Sequence, residues 1–256
     1  MELKNCRQAY GEALCELGGT DPNIVVLEAD LGKSTMSELF RMAYPKRYFQ
    51  AGIAEQNMTS MAAGLALTGK TAFTNSFAVF STGRPYDQIR SSVCIPGLNV
   101  KICGSSAGLS DFGDGKTHQS IDDIALMCAL PGMTVLSPVD AVETVKMVKA
   151  MAGTKSPCYI RINRNDLPVY VDPNEEYHIG KLRMMRDGGD AVVFATGVMV
   201  SIALTAAEAL EKEGVSARVV SVSTIKPLDA QALREYCRGV RAVVMSEEHS
   251  VHGGLG

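Results

Sequence analysis

The sequence predicts an α/β protein, with a doubly wound, mostly parallel sheet followed by a smaller α/β unit that is incomplete at its C-terminal end. Three observations predict this. Short apolar runs rich in β-branched residues recur through the first 160 or so residues. Patterns of helical period lie between them, as expected when parallel strands are joined by covering helices. The same alternation then restarts near residue 190, after a stretch with no sustained period.

In chain order, residues 4–17 read as a helix and "NIVVLEA" (23–29) as a buried strand. A helix over 55–68 precedes strand "TAFTNSF" (71–77), and a helix over 84–94 precedes strand "NVKICGS" (99–105). A helix over 121–129 leads to strand "MTVLS" (133–137). The next helix, 138–152, is expected to open with Ser137 as N-cap and Pro138 at its first position. Strand "PCYIRI" (157–162) closes the first domain, taken as residues 1–165. Residues 166–189 hold two prolines, an acidic pair and glycines, and read as a linker. The second unit, 190–256, runs strand "AVVFATG", helix "SIALTAAEALEKEG", strand "ARVVSVST", helix "AQALREYC" and strand "AVVMSEEHS", with no closing helix after "HGGLG".

Composition narrows the function. The 256 residues are 46% hydrophobic and 21% charged, so the chain can bury a sizeable core. A net charge of −3 without a long Lys/Arg run gives no footprint for nucleic acid or an anionic membrane. Proteins and small molecules are the expected partners. The seven cysteines have no C-x-x-C or metal-type spacing, and they read as buried small hydrophobes in a reducing compartment. No basic-then-apolar leader and no spanning apolar stretch is seen, so a cytoplasmic location is expected.

In open parallel sheets, ligands bind beyond the carboxyl ends of the strands. The polar residues there are Asp30 and Ser34, Asn75 and Ser76 with Phe77 and Phe80, Ser105 through His118, and Arg161 with Arg164. Glu55 stands out. It shares a helical face with Met58, Ala62 and Leu65, so an acid points where apolar side chains point. A first-turn acid is favoured by the helix dipole. Burying it is costly unless a strong donor or a polar ligand meets it. Phe77 and Phe80 suit either core packing or a flat heterocycle, and Arg84 and Tyr86 follow them. Gly108, Gly113 and Gly115 mark a flexible loop that presents His118. "GDG" opens the diphosphate-and-magnesium motif of thiamin enzymes, but no metal-binding Asn follows at the required spacing, so Asp114 is not assigned to a metal and this chain is expected to hold none.

Taken in order, "LEADLGKST", "GIAEQNM", "SFAVFSTGRPYDQIR", "GDGKTHQSIDDIALM", "SPVDAVE", "RINRNDLP" and "SEEHSVHGGLG" resemble the pyrimidine-binding and C-terminal domains of transketolase, close to the split form whose halves are separate chains. The resemblance implies transfer of a two-carbon ketol unit between phosphorylated sugars of the pentose phosphate pathway. It also implies thiamin diphosphate, with Mg2+ or Ca2+ held by a partner chain of N-terminal type that carries the diphosphate domain, in a heterotetramer or larger assembly. Glu55 then matches the glutamate that bonds a nitrogen of the aminopyrimidine. Phe77 and Phe80 would flank that ring, with Asp30 and Arg84 also at the cofactor. His118 would reach the reacting centre, and Arg7, Ser34 and Arg164 would hold the sugar phosphate. Ser106 stands where many transketolases carry a substrate-touching histidine. The β-type subunit of a 2-oxo acid dehydrogenase, a deoxyxylulose-phosphate synthase-like enzyme and a non-catalytic assembly or regulatory relative are the competing readings. The family comparison also leaves the C-terminal domain about 50 residues short.

Overall fold

The computed structural model describes residues 2–256. Strand β1 (Leu3–Asn5) leads into helix α1 (Cys6–Thr20), then β2 (Ile24–Glu28), the short helices α2 (Gly32–Thr35) and α3 (Glu38–Ala43), and β3 (Tyr48–Gln50). Helix α4 (Glu55–Leu67) precedes β4 (Thr71–Phe77), the short helices α5 (Ala78–Thr82) and α6 (Tyr86–Gln88), and β5 (Val100–Ser105). There follow α7 (Asp123–Cys128), β6 (Thr134–Leu136), α8 (Ala141–Gly153), β7 (Cys158–Ile162) and β8 (Asp166–Pro168). The C-terminal part comprises β9 (Arg183–Arg186), β10 (Ala191–Ala195), α9 (Met199–Lys212), β11 (Ala217–Ser221), β12 (Thr224–Lys226), α10 (Ala230–Tyr236) and β13 (Ala242–Ser246).

The main sheet has seven strands in the order β12-β6-β7-β5-β4-β2-β3, all parallel except β12. Alternation along β2 explains why both faces need cover. Ile24 and Val26 join the core under α1 and α8, while Val25 and Leu27 join the core under α4 and α7. Strand order reverses at β2, whose chain continues to β3 on one side and then to β4 on the other. The strand ends there, Glu28, Phe77 and Ser105, form the rim where a doubly wound sheet takes ligands. The second sheet, β13-β10-β11-β9, is parallel but for β9, with α9 on one face and Leu233 and Tyr236 from the α10 side on the other.

Several expectations change. Helix α8 opens at Ala141, not 138, because Asp140 is the N-cap and its carboxylate accepts from Glu143 N at 2.8 Å. The same carboxylate also accepts from Tyr170 N and Val171 N, which fixes the chain leaving β8. Asn5 caps α1 in the same way, so residues 4–5 are extended rather than helical. The predicted helix 84–94 starts at Tyr86, just past Pro85, and continues as a π-helix over Ile89–Cys94. The stretch read as a linker contains β8, paired with β1, and β9, which joins the second sheet. "ARVVSVST" divides, since β12 leaves the C-terminal unit to become the edge of the main sheet beside β6. Arg161 lies inside β7 rather than on the rim: it is 5% exposed and paired with Asp123 at 2.8 Å. No helix among the described residues is long and apolar enough to cross a membrane.

Candidate active site

Glu55 is the first residue of α4 and is only 4% exposed, with Met58 and Ala62 of its face also buried and Leu65 half-buried. Its partner is Arg84, whose Nη1 donates to Oε1 at 2.8 Å. The same guanidinium lies 3.9 Å from the centroid of the Phe80 ring. His118 stands edge-on to Phe80 at 5.3 Å between centroids, and Phe77 lies nearly parallel to Phe80 at 6.2 Å. Asp30, Glu55, Phe80, Arg84 and His118 line one cleft of about 350 Å³. Phe77 is buried but is not part of that lining. A planar cation thus rests on an aromatic face while donating to an enclosed carboxylate. A flat heterocycle with an N–H donor, making the same two contacts, would take its place.

Asp30 reaches the cleft from a loop under tight control. Its φ is 66°, left-handed for a residue with a side chain, and Met36 further along is at 63°. Glu28, wholly buried at the end of β2, organises the loop. Its carboxylate accepts from Ala29 N at 3.0 Å, Leu31 N at 3.2 Å and Thr35 Oγ1 at 2.8 Å, and also from Ser37 Oγ. Burial pushes its pKa up to about 7, against the lowering effect of those donors. On the outer side, Gln50 accepts from Asp30 N at 2.9 Å and Gly52 N at 3.1 Å.

Arg7 and Arg164 line a neighbouring cavity of about 310 Å³. Ser34 lies in the next hollow along, with Asp30, and its carbonyl accepts from Arg7 Nη1 at 2.9 Å. Arg7 Nε is buried with no partner among the described residues, and burial and the nearby Arg164 lower the Arg7 pKa. Two arginines held this close suit an anion. Arg164 is not free, however: Nη1 pairs with Asp111 and, at 3.1 Å, with Asp114. Burial raises the Asp111 carboxyl, whereas hydrogen bonds accepted from Arg164 and from the Asp111 carboxyl lower that of Asp114.

The model of the transketolase pyrimidine-binding domain matches residues 3–169, and that of the transketolase C-terminal domain matches 180–256. The chain belongs to the transketolase family. It is 44% identical, over 99% of its length and 80% of the relative's, to a Methanocaldococcus jannaschii chain provisionally described as a transketolase C-terminal section. It is 40% identical to a 6-deoxy-6-sulfo-D-fructose transketolase subunit of Clostridium sp. (strain MSTE9), covering 98% and 78% of the two chains. Human transketolase is 37% identical and only 40% covered. A solved structure, "Split gene transketolase, inactive beta4 tetramer", superimposes with a TM-score of 0.89 at 46% identity, covering 98% of this chain and 82% of that one.

In this transketolase-family chain the fold therefore gathers Asp30, Glu55, Phe80, Arg84 and His118 in one cleft, and Arg7 and Arg164 beside it. Sequence reasoning did not pick out Glu28, and it took in Asp111 only within the rim stretch 105–118, without a role or a partner. The signal for Glu28 was available, since an acid closing the otherwise apolar run "IVVLE" needs donors. Asp111 offered no signal, because its burial depends on the path of the loop 106–120.

Proposed function

We propose that the chain is the pyrimidine-binding subunit of a split, thiamin diphosphate-dependent transketolase. In this reading it moves a two-carbon ketol unit between phosphorylated sugars, and a partner chain carries the diphosphate domain and its divalent metal. The observation that carries the reading is Glu55, an acid enclosed at the start of α4 beside an aromatic face, with a single cationic partner. The donor set fits the pyrimidine half of the cofactor: a carboxylate for a ring nitrogen and Phe80 for a ring face. Bound there, thiamin diphosphate supplies the nucleophilic carbon and the electron sink for the two-carbon fragment.

The residues of this chain have distinct tasks. The Glu55 carboxylate holds a proton on the ring nitrogen, which enclosure makes a stronger hydrogen bond than it would be in water. Phe80 and Ile53 line the cleft and offer the ring apolar contact. His118 bonds Thr117 Oγ1 through Nδ1 at 3.0 Å, leaving Nε2 to give or take a proton at a substrate oxygen. Arg7 and Arg164 hold the substrate's anionic end. The presence of Asp111 and Asp114 beside Arg164 favours a second substrate reading: a sulfonate, as in the sugar named for the Clostridium relative, carries one negative charge and suits a partly neutralised site better than a phosphate dianion. Relative KM values for the two sugar types discriminate.

The description "inactive" for the similar tetramer supports dependence on a partner. The purified chain alone is expected to bind thiamin diphosphate weakly and to show no ketol transfer, and addition of a diphosphate-domain chain should restore both. Robust turnover by the chain alone would overturn the proposal.

A further inference from the structure

The segment "EEHS" after β13 resembles the family but has no role in the cleft just described, and its side chains are nonetheless committed. Glu248 Oε1 accepts from Leu109 N at 3.3 Å, and Oε2 accepts from Asn163 Nδ2 at 3.3 Å. The Glu248 carbonyl accepts from Arg161 Nη2 at 3.2 Å. Ser250 N donates to the Ile121 carbonyl at 2.8 Å. His249 Nδ1 faces the Ser250 carbonyl at 2.8 Å and so carries its proton, which leaves Nε2 to accept from Ala125 N in the first turn of α7 at 3.3 Å.

These contacts meet the loop that carries His118 at one place. Its two limbs come together at an isolated bridge between Gly108 and Ser120, where Ser120 N donates to the Gly108 carbonyl at 3.0 Å. Glu248 holds the outgoing limb one residue past that bridge, and Ser250 holds the returning limb one residue past it. Close approach is built in on both sides of the contact. A Cβ on Gly108, at φ +68°, would lie 2.8 Å from Glu248 Cβ, and one on Gly253, at φ +76°, would lie 2.8 Å from Ala125 Cβ. The loop tip is held separately, by Arg164 through Asp111 and Asp114.

We infer that Glu248, His249 and Ser250 are positioning residues: the C-terminal domain clamps the neck of the 108–120 loop and so fixes His118 against Phe80 in the cleft. This rests on the role proposed for His118. A loop of this length, glycine-rich and exposed at its tip, has many conformations, and holding its neck from a separate sheet removes most of them.

Hydrogen exchange on the full chain tests the clamp, and kinetics of the complex assembled with a diphosphate-domain partner test its purpose. Glu248→Ala should speed exchange across 106–121 by about 10-fold, the scale of one lost charge-assisted bond, with α1 and α9 unchanged. In the complex it should lower kcat by about 10-fold and move the sugar KM by less than about twofold. Glu248→Gln retains an acceptor for Leu109 N and should return both to near wild type. If Glu248→Ala does not fold, His249→Ala takes its place and should loosen 121–128. Unchanged protection of the targeted stretch overturns the clamp, as does an equal rise in α1, a Gln variant as loose as Ala, or a loosened loop with full kcat. A complex that transfers no ketol unit would sink the proposed reaction and leave the exchange result standing.

Discussion

Glu55→Gln separates an electrostatic role at the helix start from a chemical one. The structure sets the stability scale. Glu55 is 4% exposed, but the Arg84 side chain is 47% exposed, so its charge stays solvated when the pair is broken. A pair open on one side contributes about 0.2–1 kcal/mol, and a first-turn acid about 0.3–1 kcal/mol at the helix dipole. The relief of no longer burying a charge offsets part of this. The variant should therefore unfold within about 1 kcal/mol of wild type. Its chemistry should not be spared, because an amide cannot hold the proton that a carboxylate holds on a ring nitrogen. A loss of at least about 10²-fold is expected, close to 3 kcal/mol of barrier. The assay is exchange of the thiazolium carbon proton with deuterium in the assembled complex, followed by quench and NMR. Matching rates for wild type and variant would return Glu55 to the helix-dipole role and remove it from the mechanism.

Arg7→Ala and Arg164→Ala should each raise KM for phosphorylated sugars by about tenfold or more, with smaller effects on unphosphorylated analogues. Equal losses for both substrate types would refute the anion site. Glu28 predicts a pH dependence of stability. Its pKa rises from 4.5 in the unfolded chain to about 7 when buried, so the folded state holds the extra proton and stability falls as pH rises between those values. That fall is about 3 kcal/mol, and Glu143, also buried and raised to about 7, acts in the same direction. Glu28→Gln should remove about 3 kcal/mol of the difference between urea unfolding at pH 5 and pH 8; an unchanged difference would show that Glu28 does not titrate as the structure requires.

Local periodicity made most of the first domain legible. The strands ending at Glu28, Phe77, Ser105 and Ile162 are buried along their whole length with apolar residues facing both ways, and that pattern has one common cause, a sheet covered twice. Glu55 was legible for the same reason, since a 3.6-residue period shows an acid on a buried face. The start of α8 was misplaced because Ser137 and Pro138 carry a strong local capping signal. Asp140 overrides it by also capping backbone groups 30 residues away.

What the sequence determined by itself is therefore whatever depends on neighbours a few residues apart: the alternation of strands and helices, the inward acid, the glycine loop before His118 and the ordered stretches shared with the family. Tertiary structure decided what depends on groups distant in the chain. It set the Arg84 guanidinium on Phe80 against Glu55, paired Arg164 with Asp111, withdrew Arg161 into a buried pair with Asp123, moved β12 into the first sheet and laid Glu248 across the neck of the 108–120 loop. The physical reason is that a charge's partner and a loop's anchor are chosen by proximity in space. No period or spacing along the chain encodes contacts made across separations that run from 29 residues for Arg84 and Glu55 to 139 for Glu248 and Leu109.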